Sequence, residues 1–287
     1  MSFVLVIPVI GAVALAVSTV FEKILLGKKK IDIKSYHVAA FLAVVIAMLP
    51  FIYFFWGVDS HALSLTNILI LALIVVFSTI ANILMFYSIK WEKIGNLEPA
   101  WVLEPLLTII ISLIFYFILG NELFKTDSKI FLPAIIAGAA LFFSHIRKHH
   151  LNFNKYFMAA ILSGVFFSLE LTLSRLLLEF YTPLSFYFIR CILIFAISFL
   201  IFRPNLGKVP GKIKLWILGM GFLWVGYRVM VYYGYISLGI VFTTLMLMLG
   251  PIFVYIFAWK FLKEKLDWRN IAASAIIVGS VLYILLG

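Results

Sequence analysis

The sequence predicts an all-α membrane protein with ten transmembrane helices, arranged as two inverted five-helix repeats. Three observations lead to this fold class: an unusually apolar composition, ten apolar segments of spanning length, and an internal repeat. Hydrophobic residues make up 65% of the 287 residues and charged residues 12%, whereas charged residues are about 25% of a typical soluble domain. Together with a mean hydropathy of +1.16, this composition predicts an integral membrane protein.

The apolar segments define the predicted helices. A spanning helix needs about 20 predominantly apolar residues, and continuous apolar runs favour helices over the alternating strands of a β-barrel. No basic stretch precedes the first segment and no small-residue cleavage pattern follows it, so we expect it to be retained as a helix. The ten segments cover roughly residues 3–26, 36–56, 65–89, 97–119, 130–146, 155–180, 184–202, 214–236, 239–261 and 270–286.

An internal repeat organises these segments. Residues 81–111 and residues 227–257, 146 positions later, each contain an apolar helix, a short connection and a second apolar helix interrupted by proline, Pro105 or Pro251. An acidic residue and a glycine-containing helix then follow at nearly the same spacing: Glu122 with Gly138, and Glu264 with Gly279. This order predicts two repeats, residues 1–150 and 151–287. Because five helices is an odd number, the second repeat must enter the membrane from the opposite side.

The basic residues lie on one side of the predicted membrane. The first, third, fifth, seventh and ninth connections, with the adjoining helix ends, hold eighteen Lys and Arg residues, and the other side holds only Lys125 and Lys129. This positive-inside bias predicts that the odd-numbered connections are cytoplasmic and that both termini lie outside the cell membrane. The net charge of +11 is therefore attributed to topology, and no nucleic-acid binding is expected.

Motifs for catalysis or metal binding are missing. Cys191 is the only cysteine, which excludes a disulfide framework and a cysteine metal site. His145, His149 and His150 stand among basic residues, and we interpret them as part of a basic loop. HExxH, GxGxxG and P-loop patterns are absent and the connections are short, so we expect no enzyme activity, no cofactor and no metal.

Helix 4 carries the first group of candidate site residues. Glu98, Trp101 and Pro105 follow one another at steps of three and four, so they lie on one face, with Glu104 beside it. Pro105 leaves a backbone carbonyl without its helical donor, and such irregularity is tolerated in a bilayer only against protein or water. This face is therefore predicted to line a cavity.

The second half contributes charges at mid-membrane depth. An ionised side chain there costs about 2.5 to 3.5 kcal/mol, and Glu170 and Arg228 lie at similar depths in helices 6 and 8, so they can meet. The sequence leaves open whether they form a structural ion pair or a shared substrate site. Trp224, one turn before Arg228, can form a cation–π contact with it. The candidate substrate-binding residues are Glu104, Glu170, Arg228, Trp101, Trp224, Asn82, Glu98, Thr244 and Tyr255, with Pro105 and Pro251 as candidate hinges.

Four polar residues admit simpler interpretations. Glu22 lies near the cytoplasmic end of helix 1 and is expected to be solvated, and Arg190 of helix 7 is expected to extend its side chain outward. His37, at the mouth of helix 2, is expected at the membrane interface. Asn82 of helix 3 can either join two helices or contact a substrate.

The sequence resembles the EamA-type members of the drug/metabolite transporter superfamily over nearly its whole length. The residues that carry the resemblance are the helices with Pro105 and Pro251, the acidic positions Asn121-Glu122-Leu123 and Lys263-Glu264-Lys265, the helices with Gly138 and Gly279, and the path from Gly164 through Glu170 and Pro183 to Phe188-Ile189-Arg190. The resemblance implies a secondary transporter built from five plus five helices. It also implies cytoplasmic termini, opposite to the orientation that the charges predict, so the direction of transport stays open.

The candidate site suggests a substrate class. Glu98 and Glu104 from one half, with Glu170 and Arg228 from the other, present both signs of charge. A guanidinium binds a carboxylate and a carboxylate binds an ammonium, so amino acids or similar zwitterionic metabolites fit. Rocking of the two halves about the proline hinges would give alternating access. Exchange of a proton at Glu104 or Glu170 would couple transport to protons, in which case protons join lipids and the small-molecule substrate as partners.

Two other functions stay open. The same fold could move lipophilic cations or flip lipid-linked groups, for which acidic residues without an essential Arg228 would suffice. A non-transporting receptor or scaffold is the more remote alternative. One copy of the chain suffices for the predicted architecture, and the sequence does not indicate an oligomeric state.

Overall fold

Ten α-helices account for most of the part of the chain that the computed structural model describes, namely residues 3–27, 31–92, 97, 100–101, 103–118, 120–145, 154–250, 252–253 and 268–286. The helices are α1 (Phe3–Gly27), α2 (Ile33–Phe55), α3 (Leu65–Trp91), α4 (Leu103–Phe117), α5 (Ser128–His145), α6 (Lys155–Leu177), α7 (Pro183–Phe202), α8 (Gly211–Ser237), α9 (Ile240–Leu247) and α10 (Trp268–Leu286). Short 3₁₀ turns, Ser60–Leu63, Glu122–Phe124 and Leu206–Lys208, lie in the connections.

The composition of these helices confirms the predicted all-α membrane fold. Within the described residues, six helices, namely α1, α2, α3, α6, α7 and α8, are long and apolar enough to cross a bilayer. Shorter apolar stretches lie in α4, α5 and α10. The chain is therefore a multi-pass membrane protein.

Capping residues explain where several helices begin. The side chains of Asp32, Ser64 and Asn154 accept hydrogen bonds from backbone amides in the first turns of α2, α3 and α6. Thr182 does the same for α7, whose first residue is Pro183. These side chains satisfy amide donors that a helix start leaves without partners, and proline at the first position loses no helical bond.

The described residues beside the first, third and fifth connections meet at one end of the bundle. Lys90 Nζ, at the end of α3, donates to Ile31 O before α2, at 2.8 Å. The Asn154 amide, before α6, donates to Glu92 Oε2 after α3, also at 2.8 Å. We call this the basic end, because the sequence places most of the Lys and Arg residues there.

The α2–α3 and α6–α7 connections meet at the opposite end, which we call the far end. Val58 and Tyr181 form an isolated antiparallel bridge, and Asp59 N donates to Phe180 O at 2.8 Å. Because α1 ends and α6 begins at the basic end, these two helices run in opposite directions. Equivalent helices of the two halves are therefore inverted.

Helix packing follows the same symmetry. In an inverted repeat, each helix of the first half has an equivalent five helices later in the second half. The contact between α3 and α6 has its equivalent in the contact between α8 and α1. Likewise, the contact between α2 and α8 has its equivalent in the contact between α7 and α3. The helices of the pairs α2–α7 and α5–α10 are each other's equivalents, and they also pack together. This arrangement agrees with two inverted repeats. The division between residues 150 and 151 lies outside the described residues, and we retain it as a proposal.

Two apolar clusters form the core of the bundle. The larger cluster reaches the far end and includes Ala62, Tyr181 and Leu184. The smaller cluster lies toward the basic end and includes Leu26 and Ile213. Helices from both halves contribute to each cluster, so the clusters hold the two halves together.

Close packing of α2 against α8 depends on Gly221. A Cβ atom at this position would lie 2.8 Å from the backbone carbon and oxygen of Ala43. Gly221→Ala must therefore push two helices apart, and we expect it to lower the free energy of unfolding by about 1–3 kcal/mol. Gly226→Ala on the same helix is the matched control, because no described atom lies within 4 Å of its Cβ position.

Thermal unfolding of the purified protein measures both changes. The control is expected to keep or slightly raise stability, since alanine favours a helix over glycine by about 1 kcal/mol. Equal stabilities of the two variants would show that α2 and α8 are not held in this close contact.

Candidate functional site

A small polar cavity lies between the two apolar clusters. Its volume is about 30 Å³, which is room for a few water molecules. Side chains from α1, α2 and α3 of the first half and from α7 and α8 of the second half surround it. The lining residues are Glu22, Ala40, Phe41, Val44, Asn82, Phe86, Tyr187, Arg190, Trp224 and Arg228.

Glu170 of α6 anchors the charged wall of this cavity. Its carboxylate is fully buried and accepts hydrogen bonds from Arg190 Nη1 on α7 and, at 3.2 Å, from the Tyr232 hydroxyl on α8. Ser174 donates to it at 3.1 Å, and Arg228 Nη1 lies 3.5 Å from its second oxygen. One carboxylate therefore joins three helices of the second half.

The guanidinium groups outnumber the carboxylate that binds them. Arg190 and Arg228 are 1% and 3% exposed, and Glu170 forms an ion pair with both. The Nε atoms of both arginines are buried without a hydrogen-bond partner among the described residues. A buried cation that is only partly compensated is costly, so the cavity wall is complementary to an anion.

Aromatic rings hold the two arginines differently. The Arg190 guanidinium carbon lies 5.0 Å from the centre of the Tyr187 ring and also faces Tyr232. The Arg228 guanidinium lies over Phe167 and Tyr227, at 5.8 and 5.6 Å, rather than forming the contact with Trp224 that the sequence suggests. Such contacts contribute about 2 kcal/mol when desolvated.

The indole of Trp224 instead contacts the first half. Its Nε1 donates to Glu22 Oε1 of α1 at 3.0 Å, and the Tyr36 hydroxyl of α2 lies beside the same carboxylate. Glu22 is 2% exposed, so the expectation that it is solvated is wrong. The next residue, Lys23, extends away and donates to Ile89 O at 2.6 Å, because neighbouring residues of a helix do not share a face.

Two further expectations are also wrong. Arg190 does not extend outward, because Glu170 and Tyr232 bind it inside the bundle. His37 is fully buried rather than interfacial, and its Nε2 lies 3.0 Å from Ser198 Oγ on α7. The partner of His37 is 161 positions away, and the partners of Arg190 lie on the preceding and the following helix. The local pattern around either residue does not reveal these contacts.

Glu104 lies near the charged wall without joining it. It is in the first described turn of α4, packed against Gly164 of α6, and it is close enough to Arg228 and Glu170 to interact with both electrostatically. Among the described residues it forms no ion pair. Pro105, the next residue, lies in the same turn.

The other predicted residues fall into three groups. Asn82 lines the cavity and donates to Ser78 O at 2.7 Å. Trp101 packs in the smaller apolar cluster, and Thr244 is buried beside Tyr235 on α8, so neither lines the cavity. Glu98, Tyr255 and Pro251 lie outside the described residues.

Within the described part of the chain, no group of three or more His, Cys, Asp or Glu residues is placed to hold a metal ion. The chemistry of the cavity is therefore that of guanidinium, carboxylate, amide and aromatic groups.

Comparisons with known proteins show the fold and support the family resemblance. No curated protein matches the chain. A solved structure described only as "crystal structure of protein" superposes with a TM-score of 0.67 at 14% identity, covering 99% of this chain and 97% of that chain, which shows a shared fold. The model of the EamA-like transporter family matches residues 154–286. This segment is therefore similar to the EamA-like transporter family, and the match supports the resemblance inferred from the sequence.

Proposed function

We propose that the protein is a secondary transporter that moves amino acids or similar zwitterionic metabolites by alternating access. The observation that carries this proposal is the imbalance at the cavity wall, where Arg190 and Arg228 share one paired carboxylate, Glu170. A carboxylate substrate would complete the charge balance at a site that protein groups leave incomplete.

Arg228 is the proposed contact for the substrate carboxylate. Its contact with Glu170 is long, at 3.5 Å, and its Nε is unpartnered among the described residues. The Arg228 guanidinium can therefore donate two parallel hydrogen bonds to a substrate carboxylate while losing few of its bonds to the protein. Arg190, by contrast, is already engaged by Glu170 and Tyr232.

The rest of the lining suits the hydrocarbon part of a metabolite. Phe41, Phe86, Tyr187 and Trp224 contribute aromatic walls, and Asn82 adds one amide. Apolar walls with a few placed polar groups are typical of small-molecule sites. We propose an apolar or aromatic side chain on the transported amino acid.

The cavity must enlarge before a substrate can enter. About 30 Å³ holds water but not an amino acid. Opening the far end requires breaking hydrogen bonds between the halves, such as Thr182 Oγ1 to Phe55 O at 2.7 Å. Opening the basic end requires separating α2 from α7, where His37 contacts Ser198. We propose that the halves rock about the fixed cavity, with Pro105 and Pro251 as hinges.

Glu104 is the proposed site of proton coupling. Glu170 is already bound by two arginines, whereas Glu104 lies near Arg228 without an ion pair among the described residues. We expect an imposed pH gradient to accelerate uptake into liposomes that contain the wild-type protein, and Glu104→Gln to remove the acceleration. Identical rates with and without the gradient would rule the coupling out.

Orientation and the remaining predicted contacts are parts of the same proposal. We retain cytoplasmic odd-numbered connections and external termini from the basic residues. We retain Glu98 and Tyr255 as further substrate contacts, and we propose that Trp101 and Thr244 reach the substrate in the open states.

A thermal-shift screen of the purified protein tests the substrate class. The ligands are the twenty standard amino acids, simple carboxylates, and tetraphenylphosphonium as a lipophilic cation. A ligand that binds the folded state at a hundred times its Kd stabilises it by about 2.7 kcal/mol. We expect apolar amino acids to stabilise the protein most. Stabilisation by the lipophilic cation alone would favour the cation transporter.

A further inference from the structure

We infer that Glu22 is the cation subsite of the cavity and binds the ammonium group of the transported zwitterion. The inference rests on the proposed function and assigns the second charged end of the substrate. The sequence pattern suggests Glu98 and Glu104 for this role, whereas the structure places Glu22 in the cavity wall.

The surroundings of the Glu22 carboxylate are suited to binding a cation. It is 2% exposed and accepts a hydrogen bond from Trp224 Nε1 at 3.0 Å. Among the described residues, no basic side chain forms an ion pair with it. The adjacent Lys23 is engaged elsewhere, by Ile89 O and Glu92 O.

The two charged ends of the cavity are linked through one helix face. Trp224 and Arg228 lie one turn apart on α8, which corresponds to about 6 Å along the axis. The indole N–H of Trp224 touches Glu22, and the Arg228 guanidinium touches Glu170. A negative group therefore stands at one end of the aromatic wall and a positive group at the other.

Charge balance favours a zwitterion over a simple acid or amine. The charges of the two arginines and of the Glu22 and Glu170 carboxylates, which line or support the cavity, sum to zero when Glu104, the proposed site of proton coupling, carries its proton. A neutral zwitterion keeps this sum and pairs both ends, whereas a monocarboxylate leaves Glu22 without a partner. Glu170 cannot serve as the ammonium ligand, since Arg190, Arg228, Tyr232 and Ser174 already occupy it.

Matched ligands and matched variants test the assignment. Binding to the purified full-length protein is measured for L-phenylalanine, for hydrocinnamate, which lacks the ammonium, and for phenethylamine, which lacks the carboxylate. Glu22→Gln keeps an oxygen that accepts from Trp224 Nε1 while removing the charge. Glu122→Gln is the control, because that side chain is 73% exposed and lies outside the cavity.

We expect wild type and Glu122→Gln to bind L-phenylalanine at least about tenfold more tightly than hydrocinnamate, as one charge-assisted contact implies. Glu22→Gln should reduce that preference to about twofold or less and leave hydrocinnamate affinity unchanged. Phenethylamine, which lacks the carboxylate, should bind weakly to the wild type and still more weakly to Glu22→Gln.

Three results would overturn the assignment. If Glu22→Gln retains the wild-type preference, Glu22 is not the ammonium ligand and the proposed function stands. If the folded Glu22→Gln variant loses affinity for hydrocinnamate as well as for L-phenylalanine, the role of Glu22 is structural. If neither acid binds the folded wild-type protein, or both still bind to Arg228→Met, the proposed function itself fails.

Discussion

Glu170→Ala is expected to lower the free energy of unfolding by about 3–5 kcal/mol, the cost of leaving a buried ion pair without one partner. The reason is the surplus of cations around this carboxylate. Without it, Arg190 and Arg228 would stay inside the bundle with no described carboxylate at ion-pair distance. The Tyr232 hydroxyl would also lose its acceptor.

Unfolding of the detergent-solubilised protein measures this effect against two matched variants. Ser174→Ala removes one hydrogen bond to the same carboxylate, at 3.1 Å, and should cost only about 1 kcal/mol. Glu170→Met combined with Arg190→Met removes an opposite pair and should recover much of the lost stability. A Glu170→Ala protein as stable as wild type would show that the buried charges are not coupled as described.

Arg228→Met is expected to abolish binding of carboxylate ligands while leaving the protein folded. Truncating one partner of a buried charged contact typically costs 2–5 kcal/mol of binding free energy, so affinity should fall about thirtyfold or more. The fold should persist because Glu170 keeps Arg190 and because the Arg228 contact with Glu170 is long, at 3.5 Å.

Arg190→Met and Arg175→Met separate binding from folding. Arg190 is enclosed by Glu170 and two tyrosine rings, so its loss should chiefly destabilise the protein. Arg175 belongs to the last turn of α6 and is not among the cavity residues, so its loss should leave binding intact. If a folded Arg228→Met protein binds carboxylate ligands with wild-type affinity, Arg228 is not the substrate contact.

Much of the fold could be predicted because bilayer crossing imposes strong local requirements. The apolar runs place α2, α3, α7 and α8 within a few residues of their observed bounds, since spanning length and continuous hydrophobicity are local properties. The odd number of helices per repeat, with the one-sided basic residues, is enough to infer inversion. That α1 ends where α6 begins agrees with it.

The charged wall was partly predictable for a similar reason. Glu170 and Arg228 are conspicuous because charges at mid-membrane depth are costly and need partners. Their comparable depth suggested that they can meet, and the structure brings them to 3.5 Å.

The rest of the site depends on contacts that sequence patterns do not show. Glu22 and Trp224 are 202 positions apart, and His37 and Ser198 are 161 apart. Near a helix end, an interfacial residue and a buried one have the same local sequence context. The signal that indicates Arg190 is the cost of a charge within a spanning helix, which applies to Arg190 as it does to Glu170 and Arg228.

Solute counterflow in proteoliposomes tests the central claim most directly. Vesicles loaded with an unlabelled apolar amino acid receive a trace of the labelled compound outside, and accumulation is followed with time. We expect transient accumulation with the wild-type protein and none with Arg228→Met reconstituted at equal amounts. Vesicles with folded wild-type protein that accumulate no more label than empty vesicles, for every amino acid tested, would contradict the proposal of zwitterion transport through this cavity.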